Sequence, residues 1–393
     1  MTREPDAIVP EPGTFAWSVL HDRHPAVIAK VREAFPFGPQ QNEALDELAS
    51  ETSVATITAP EPSGCDRDCW PEWVREFAGR QLDQTPFLFA ESYFYRRLLD
   101  ATGFYRPGPW WSVDPFAPMK HAELTDARLA EDLGWFETLT GASSTEIGAV
   151  LLSASLWGNR ADLGFQMSTR AASAGRADDA PEAAPAVLVD DSDLMWSLLR
   201  RADSPQVVMV ADNTGRELIP DLLLIDHLLE TVGVQAVALH VKPAPYYVSD
   251  ATGADVIACL TWLAERPEQL GRAGVRLRRA CATGRLTIHT HAFYCAPLTY
   301  HDLPADLAAS FADATVTIMK GDLNYRRLVG DRHWPPTTGF EQLTSYFPGP
   351  VTALRTLKSD VAVGISPQLL EVLDKSDTTW RTVGTHAVVQ TRP

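Results

Sequence analysis

Two things are scarce in this chain of 393 residues, and each scarcity excludes a class of protein. Cysteine occurs five times, at 65, 69, 259, 281 and 295. The count is odd, and Cys65-x-x-x-Cys69 has no second Cys or His pair beside it, so a structural zinc site is not expected. Reduced thiols in a cytoplasmic protein are expected instead. Positive charge is the second scarcity: 34 Lys and Arg face 51 Asp and Glu, a formal net charge of −17. Such a balance repels nucleic acid and anionic membrane, which excludes both as partners. An anionic substrate would then need a local positive centre. No apolar run approaches the length that crosses a bilayer. Met1–Pro12 has neither the basic start nor the apolar core of a signal peptide, so a soluble intracellular protein is expected.

What is present is ordinary for a globular enzyme: 45% hydrophobic and 22% charged residues. The length suggests two subdomains, or one large α/β domain with a helical annex. Val27, Ile28, Val31 and Phe35 recur at helical spacing, Leu45 and Leu48 suggest a second helix, and Trp70–Leu82 reads as a third. Pro86–Leu99 reads as a buried helix whose Glu91, Arg96 and Arg97 want ion-pair partners. Residues 1–170 are therefore expected to be a helical subdomain. Residues 171–186, rich in Ala, Asp, Gly and Pro, are expected to be a mobile loop. Residues 187–393 alternate β-like and helical stretches. Val207–Ala211, Val234–His240, Leu286–His291, Ala314–Met319, Val351–Thr356 and Ala387–Gln390 are candidate strands. This pattern predicts an α/β fold: a mostly parallel sheet with helices on both faces, Rossmann-like and three-layered.

The chemistry concentrates where strand signals stop. Val207-Val208-Met209-Val210 ends at Asp212-Asn213, Gly215 permits a tight turn, and Leu218, Leu222, Ile225 and Leu229 begin a helix. An acid and an amide at the carboxyl end of a strand occupy the place where open α/β sheets bind ligands. Their oxygens suit Mg²⁺ or Mn²⁺ better than zinc. The same residues also read as a plain turn and helix cap. Asp250 lies 38 positions after Asp212, just past another strand signal. If those two strands are parallel neighbours, the two carboxylates converge and repel unless a cation separates them. A second run, Lys320-Gly321-Asp322-Leu323-Asn324-Tyr325-Arg326, follows another β-like segment. Here Arg326 offers a planar fork for phosphate. A third, Leu354-Arg355-Thr356-Leu357-Lys358-Ser359-Asp360, sets an Arg and a Lys three apart. His289 and His291 share one side of a strand but lack a third partner, and a hydrogen-bonded structural role is expected.

With these three motifs in this order, the chain resembles the metal-dependent damage-control phosphatases, in the subfamily marked by Arg-Thr-x-Lys, here Arg355-Thr356-Leu357-Lys358. The resemblance extends over nearly the whole chain, including Asp114-Pro115-Phe116, Lys120 and Leu156–Leu163. It implies a divalent cation (Mn, Co, Ni or Mg) on Asp212, Asn213 and Asp250. It implies substrate contacts from Glu217, Asp250, Asp322, Leu323, Asn324, Tyr325 and Arg326, with Lys358 on a phosphate oxygen. Arg355 is expected to pair with a carboxylate. Asn159 and Asp162 either approach substrate or fix the subdomain interface. Thr214 stands where the family usually has Ala, and Arg216 where an apolar residue is frequent, so Arg216 near the metal is expected to alter substrate preference.

The implied activity is hydrolysis of a small phosphorylated metabolite, a sugar phosphate such as fructose 1-phosphate. Some members of that subfamily are described as protein-glutamate O-methyltransferases, which makes S-adenosylmethionine chemistry the alternative. That cofactor wants a glycine-rich turn after the first strand, whereas Asp212-Asn213-Thr214-Gly215 holds one glycine. A non-catalytic metal- or phosphate-binding protein is the third possibility. No feature of the sequence assigns an oligomeric state.

Overall fold

Short runs of Val, Ile, Leu and Met become strands where helices cover both faces, since neither side then needs polar residues. The structure, a computed structural model, describes residues 4–51, 54–60, 64, 66–158, 186–376 and 379–393. The N-terminal part is helical: α1 His24–Ala34, α2 Pro39–Glu51, α3 Phe87–Thr102, α4 Ala117–Leu124 and α5 Ser144–Trp157. α3 ends at Gly103, whose φ of 82° is a left-handed cap. α5 begins with a capping box in which Ser143 and Glu146 satisfy each other's backbone donors. The helix expected over Trp70–Leu82 is only one turn, Trp70–Trp73. Beyond it the backbone bonds elsewhere: Ile57 donates to Arg80 O and Gly79 to Ile57 O, which diverts the donors a helix would need.

The rest of the chain builds one seven-stranded sheet in the order β1-β7-β6-β5-β2-β3-β4. Its strands are β1 Ala186–Asp190, β2 Gln206–Val210, β3 Ala236–Val241, β4 Leu286–Thr290, β5 Val316–Lys320, β6 Val351–Thr356 and β7 His386–Arg392. β2 to β6 are parallel, while β7 pairs antiparallel with β6 and parallel with β1. The mostly parallel α/β expectation is met. β1 itself was not foreseen: it is a half-exposed edge of five residues, without the alternation that marks a one-sided strand or the bulk that marks a central one. Of the loop expected over 171–186, Ala186 is the first residue of β1, and 171–185, with Asn159 and Asp162, lie outside the described residues.

Along β2 the side chains alternate between two cores. Val208 and Val210 join one with Phe87, Phe89 and Tyr93 of α3, and Val207 and Met209 join the other with Leu151 and Leu152 of α5. The helices after the strands, among them α6 Ser192–Arg201, α7 Leu218–His227, α8 Gly253–Ala264 and α9 Glu268–Ala282, line the second core. α10 Ala305–Ala312, α11 Gly321–Val329 and α12 Pro367–Ser376 line the first. Each fully buried Val or Leu contributes roughly 1.5–3 kcal/mol, so β2, buried on both faces, is a rigid mount for whatever follows it. A third, smaller core joins α1 and α2 to the far side of α3 through Val27, Ile28, Val31, Leu45, Leu48, Phe94 and Leu98. α3 thus touches both the helical region and the sheet.

Strand order reverses beside β2: β3 and β4 follow on one side, β5 and β6 on the other. The carboxyl ends of β2 and β5 therefore occupy the usual ligand position in such sheets.

Candidate functional site

β2 stops at Val210, and Ala211 and Asp212 prolong it while staying buried. Gly215 then turns the chain with a φ of 59°, and α7 begins at Leu218. Asp212, Asn213 and Glu217 are therefore held between a strand end and the start of a fully buried helix. Asp250 reaches them by a different route from a strand end. β3 stops at Val241, and the chain returns so that Thr214 N–H donates to Ser249 O and Ala251 N–H to Asp212 O, both at 2.8 Å. Asn213 and Asp250 face each other in an antiparallel bridge. Backbone pairing, rather than strand register alone, brings the two acids together.

The side chains form a crowded acidic cluster. Asn213 Nδ2 donates to Asp212 Oδ2 at 3.0 Å and to Glu217 Oε2 at 2.9 Å, while the Ser249 hydroxyl donates to Asn213 Oδ1 at 2.6 Å. Asp212, Glu217 and Asp250 are 8%, 7% and 2% exposed. Burial pushes the Asp212 carboxyl well above its ordinary value, Glu217 and Asp250 push it further, and Lys242 and Lys358 pull it back. Burial also raises Asp250, against the pull of Lys242 and Lys120. Asp250 Oδ2 accepts no hydrogen bond, and Lys242 Nζ stands 3.5 Å away. With an ammonium beside it but no hydrogen bond, this oxygen keeps lone pairs for a further partner. Among the described residues, no three His, Cys, Asp or Glu side chains converge into a metal-holding group. The donors here are two carboxylates and an amide.

Three buried lysines, to which no site role was assigned from sequence, brace this cluster. Lys120 Nζ donates to Asp114 Oδ2, Asp255 Oδ2 and Asp250 O, each at 2.9 Å. Lys242 Nζ donates to Tyr294 O at 3.1 Å. Lys320 Nζ lies 3.0 Å from Asp221 Oδ1 and 3.7 Å from Glu217 Oε1, and it also donates to Ser155 O. The signal was available: Lys242 and Lys320 each end a buried strand run, where a lysine without a carboxylate to meet would be expensive.

The β5 side meets the cluster with backbone. Gly321 has a φ of 82°, and a Cβ built on it would lie 1.8 Å from Asp212 Oδ2. Only glycine lets α11 start this close to the acid. Asn324, fully buried, donates to Ala211 O at 3.2 Å and Lys320 O at 2.8 Å, and accepts from Tyr300 OH at 3.1 Å, so it locks α11 to the end of β2. Leu323 packs with Leu88, Tyr246 and Cys295. The Tyr325 hydroxyl donates to Gln390 Oε1 at 2.8 Å.

Arg326 is held by carboxylates. Its guanidinium binds Asp331 through Nε at 2.8 Å and Nη2 at 2.9 Å, and Glu91 through Nη1 at 2.7 Å, over the face of Phe87. Three of its five N–H groups are thus spent on carboxylate oxygens inside the protein. Glu91 thereby finds its expected partner, while Arg96 pairs with Asp66 and Asp100, and Arg97 with Glu51.

Arg355 behaves as expected. It is fully buried, binds Asp322 Oδ1 through Nε at 2.8 Å, and lies over the Tyr325 ring. Burial alone would raise Asp322, but Arg355 and then Arg326 outweigh it and hold that carboxyl below its ordinary value. Asp322 also accepts from the Ser359 hydroxyl at 3.0 Å and the Lys358 backbone N–H at 3.4 Å. This knot presents Lys358, which is exposed, on the side from which it acts on Asp212.

Arg216 points away from Asp212. It pairs with Asp126 at 3.1 Å and with Asp132, and its backbone N–H donates to Glu123 Oε1 at 2.9 Å. It ties α7 to the helical region and does not border the acids. His289 bonds Thr287 Oγ1 at 2.9 Å, and His291 accepts from Phe293 N at 3.0 Å, the structural roles anticipated for them. Among the described residues, Cys69, Cys259, Cys281 and Cys295 form no disulfide, and no helix is long and apolar enough to cross a membrane.

Known proteins of the same build can now be set beside this geometry. Residues 19–372 match the family described as the damage-control phosphatase ARMT1-like domain. Damage-control phosphatase ARMT1 of Mus musculus is 30% identical over 96% of this chain and 96% of its own. The Danio rerio protein of that name is 29% identical over 96% of this chain and 94% of its own. The Homo sapiens protein is 28% identical, with 96% of each covered. Among solved structures, a DUF89 family protein from Pyrococcus horikoshii is 13% identical with a TM-score of 0.50, over 96% of this chain and 98% of its own. That likeness bears on the fold alone.

Proposed function

The chain belongs to the damage-control phosphatase ARMT1-like family, and from that premise we propose that it hydrolyses small phosphomonoesters at a divalent cation held by Asp212, Asn213 and Asp250. The observation that carries this reading is an excess of buried acid at the carboxyl ends of β2 and β5. Asp212, Glu217, Asp221 and Asp250 are four buried carboxylates with two buried ammonium groups ion-paired to them, Lys242 and Lys320, while Lys120 is paired with Asp114 and Asp255. A divalent cation would relieve that excess. The orphaned Asp250 Oδ2 and the hard oxygen donors fit Mg²⁺, Mn²⁺, Co²⁺ or Ni²⁺. Asn213 Oδ1 accepts from the Ser249 hydroxyl and keeps a second lone pair for the cation.

When bound, such a cation would polarise a phosphate oxygen and acidify water. The chain's own residues would do the rest. The start of α11 beside Asp212 offers helix N–H groups suited to an anion. Lys358 supplies the mobile point charge that offsets negative charge as it shifts during transfer. Asp212 serves either as base or as nucleophile. Glu217, bordered by Asn213 and Lys320, suits a hydroxyl of the substrate and repels its phosphate. That division supports a sugar phosphate such as fructose 1-phosphate.

The methyltransferase alternative is not favoured. The relatives carry a phosphatase name, and the turn after β2 packs acids where a nucleoside would need glycines. The test is phosphate release from a panel of sugar phosphates and other monoesters with each of the four cations. Turnover should require cation and vanish with excess chelator. Full turnover in chelator would defeat the cation, and none on any ester would defeat the phosphatase.

A further inference from the structure

Glu217 has little freedom, and the reason lies outside the residues assigned to metal or substrate. On one side a Cβ added to Gly158 would meet Glu217 Cα at 2.8 Å, so that flank is closed by backbone. Its Oε2 accepts from Asn213. Its Oε1 faces Lys320 Nζ, 3.7 Å away. Lys320 cannot drift, because it is 1% exposed and anchored to Asp221 Oδ1 at 3.0 Å and to Ser155 O. Asp221, one helical turn after Glu217, is itself held by the Ser155 hydroxyl at 2.5 Å. One ammonium therefore joins the end of β5, the first turn of α7 and the last turn of α5.

We propose that Lys320 is a positioning residue for substrate recognition: it fixes Glu217 so that the carboxylate receives a hydroxyl of the substrate's alcohol portion. The inference rests on the phosphatase reading above. A carboxylate hydrogen-bonded at one oxygen and faced by a fixed ammonium at the other is held in one orientation, and the lone pairs it keeps select a hydrogen-bond donor. Phosphate is excluded from that end by charge and goes to Lys358 and the start of α11. Lys320 thus discriminates polyhydroxylated esters from esters whose alcohol portion has no hydroxyl, without touching substrate itself.

The test compares fructose 1-phosphate with p-nitrophenyl phosphate, which has nothing to offer Glu217. Lys320→Met is combined with Asp221→Asn so that no buried carboxylate is left unpaired. Lys320→Gln with Asp221→Asn, which keeps a donor toward Ser155 O and likewise leaves the net charge of the network unchanged, is the second variant should the first not fold. For either variant, kcat/KM on the sugar phosphate should fall about tenfold or more, the scale of one hydrogen bond to a charged group. The change should be mainly in KM. On p-nitrophenyl phosphate it should stay within about twofold, as should cation affinity measured by calorimetry without substrate. Equal losses on both esters, no loss on either, or a large drop in cation affinity would overturn the inference while the wild type remained a phosphatase. A wild type releasing phosphate from neither ester would overturn the phosphatase reading, and the inference with it.

Discussion

Two buried ionic clusters flank the loop that carries Asp250, and they hold their carboxylates in opposite ways. Around Arg326, two acids share one guanidinium and its donors: Asp331 takes two bonds and Glu91 one, with Tyr247 OH 3.4 Å from Glu91. Burial raises Glu91, and Arg326 opposes it directly. Around Asp212, two carboxylates share one amide, and an oxygen of the neighbouring Asp250 is left without a hydrogen bond. Burial is similar in the two places, so burial does not distinguish them. Hydrogen bonding does. The saturated cluster joins α3 to α11, whereas the other keeps an acid oxygen without a donor, which suits a binding centre.

The comparison is broken most severely by Asp250→Ala. Phosphatase turnover should fall about a thousandfold or more, with cation affinity lost, because a ligand goes. Its thermal midpoint without cation should fall less than that of Arg326→Leu, since relief of acid crowding offsets the loss of the Lys242 pair. Arg326→Leu should do the reverse. Stripping the cation from Glu91 and Asp331 should cost about 3–5 kcal/mol in denaturant unfolding, while cation affinity of the folded protein stays near wild type. Should both substitutions destabilise equally, the contrast between the clusters would be wrong.

Lys358→Ala sharpens the picture at smaller scale. A charge-assisted contact of roughly 1.5–3 kcal/mol predicts a loss of about tenfold to a hundredfold in kcat/KM. If the contact strengthens during transfer, kcat carries much of it. Cation affinity should hardly move, and unchanged kinetics would remove Lys358 from the site.

Much of this was legible in the sequence, and the failures have physical causes. Asp212 and Asn213 were readable because an apolar run ended at them and a glycine followed. Asp250 was readable as a partner, but its approach through an antiparallel bridge was not, since register between loops leaves no periodic trace. The carboxylate partners of Arg326 were not readable, because a guanidinium's chemistry is the same toward phosphate and carboxylate, and Glu91, 235 positions away, is not a neighbour in sequence. Lys242 and Lys320 were passed over because a lysine after a strand usually reaches water. The Trp70–Leu82 helix failed where tertiary hydrogen bonds to Ile57 overrode local propensity.

The smallest expected effect lies in the helical region. His24 is buried against Phe94, its ring nitrogens have no hydrogen-bond partner, and burial, then Arg23 and His21, hold its pKa well below the ordinary value. A folded-state pKa below the unfolded one means that stability is full above the unfolded value, about 6.5, and is lost as pH falls toward the folded one. The loss is about 1.4 kcal/mol per pH unit for one such group. His24→Phe should flatten that part of the stability–pH curve between neutral and mildly acid pH. An unchanged slope in urea titrations would show that His24 is not its source.

Gly321 has a consequence for anyone moving this centre into another protein. The Asp212 carboxylate occupies space that any other residue at 321 would fill with its first side-chain atom. A graft consisting of the acids, the amide and Lys358 would therefore arrive with its leading acid pushed aside. The smallest transferable unit is a pair of adjacent parallel strands, one ending in the acid and its neighbour ending in a left-handed glycine. Searches for cryptic versions of the centre in unrelated sheets should look for that vacancy beside a strand-terminal aspartate before they look for the ligands.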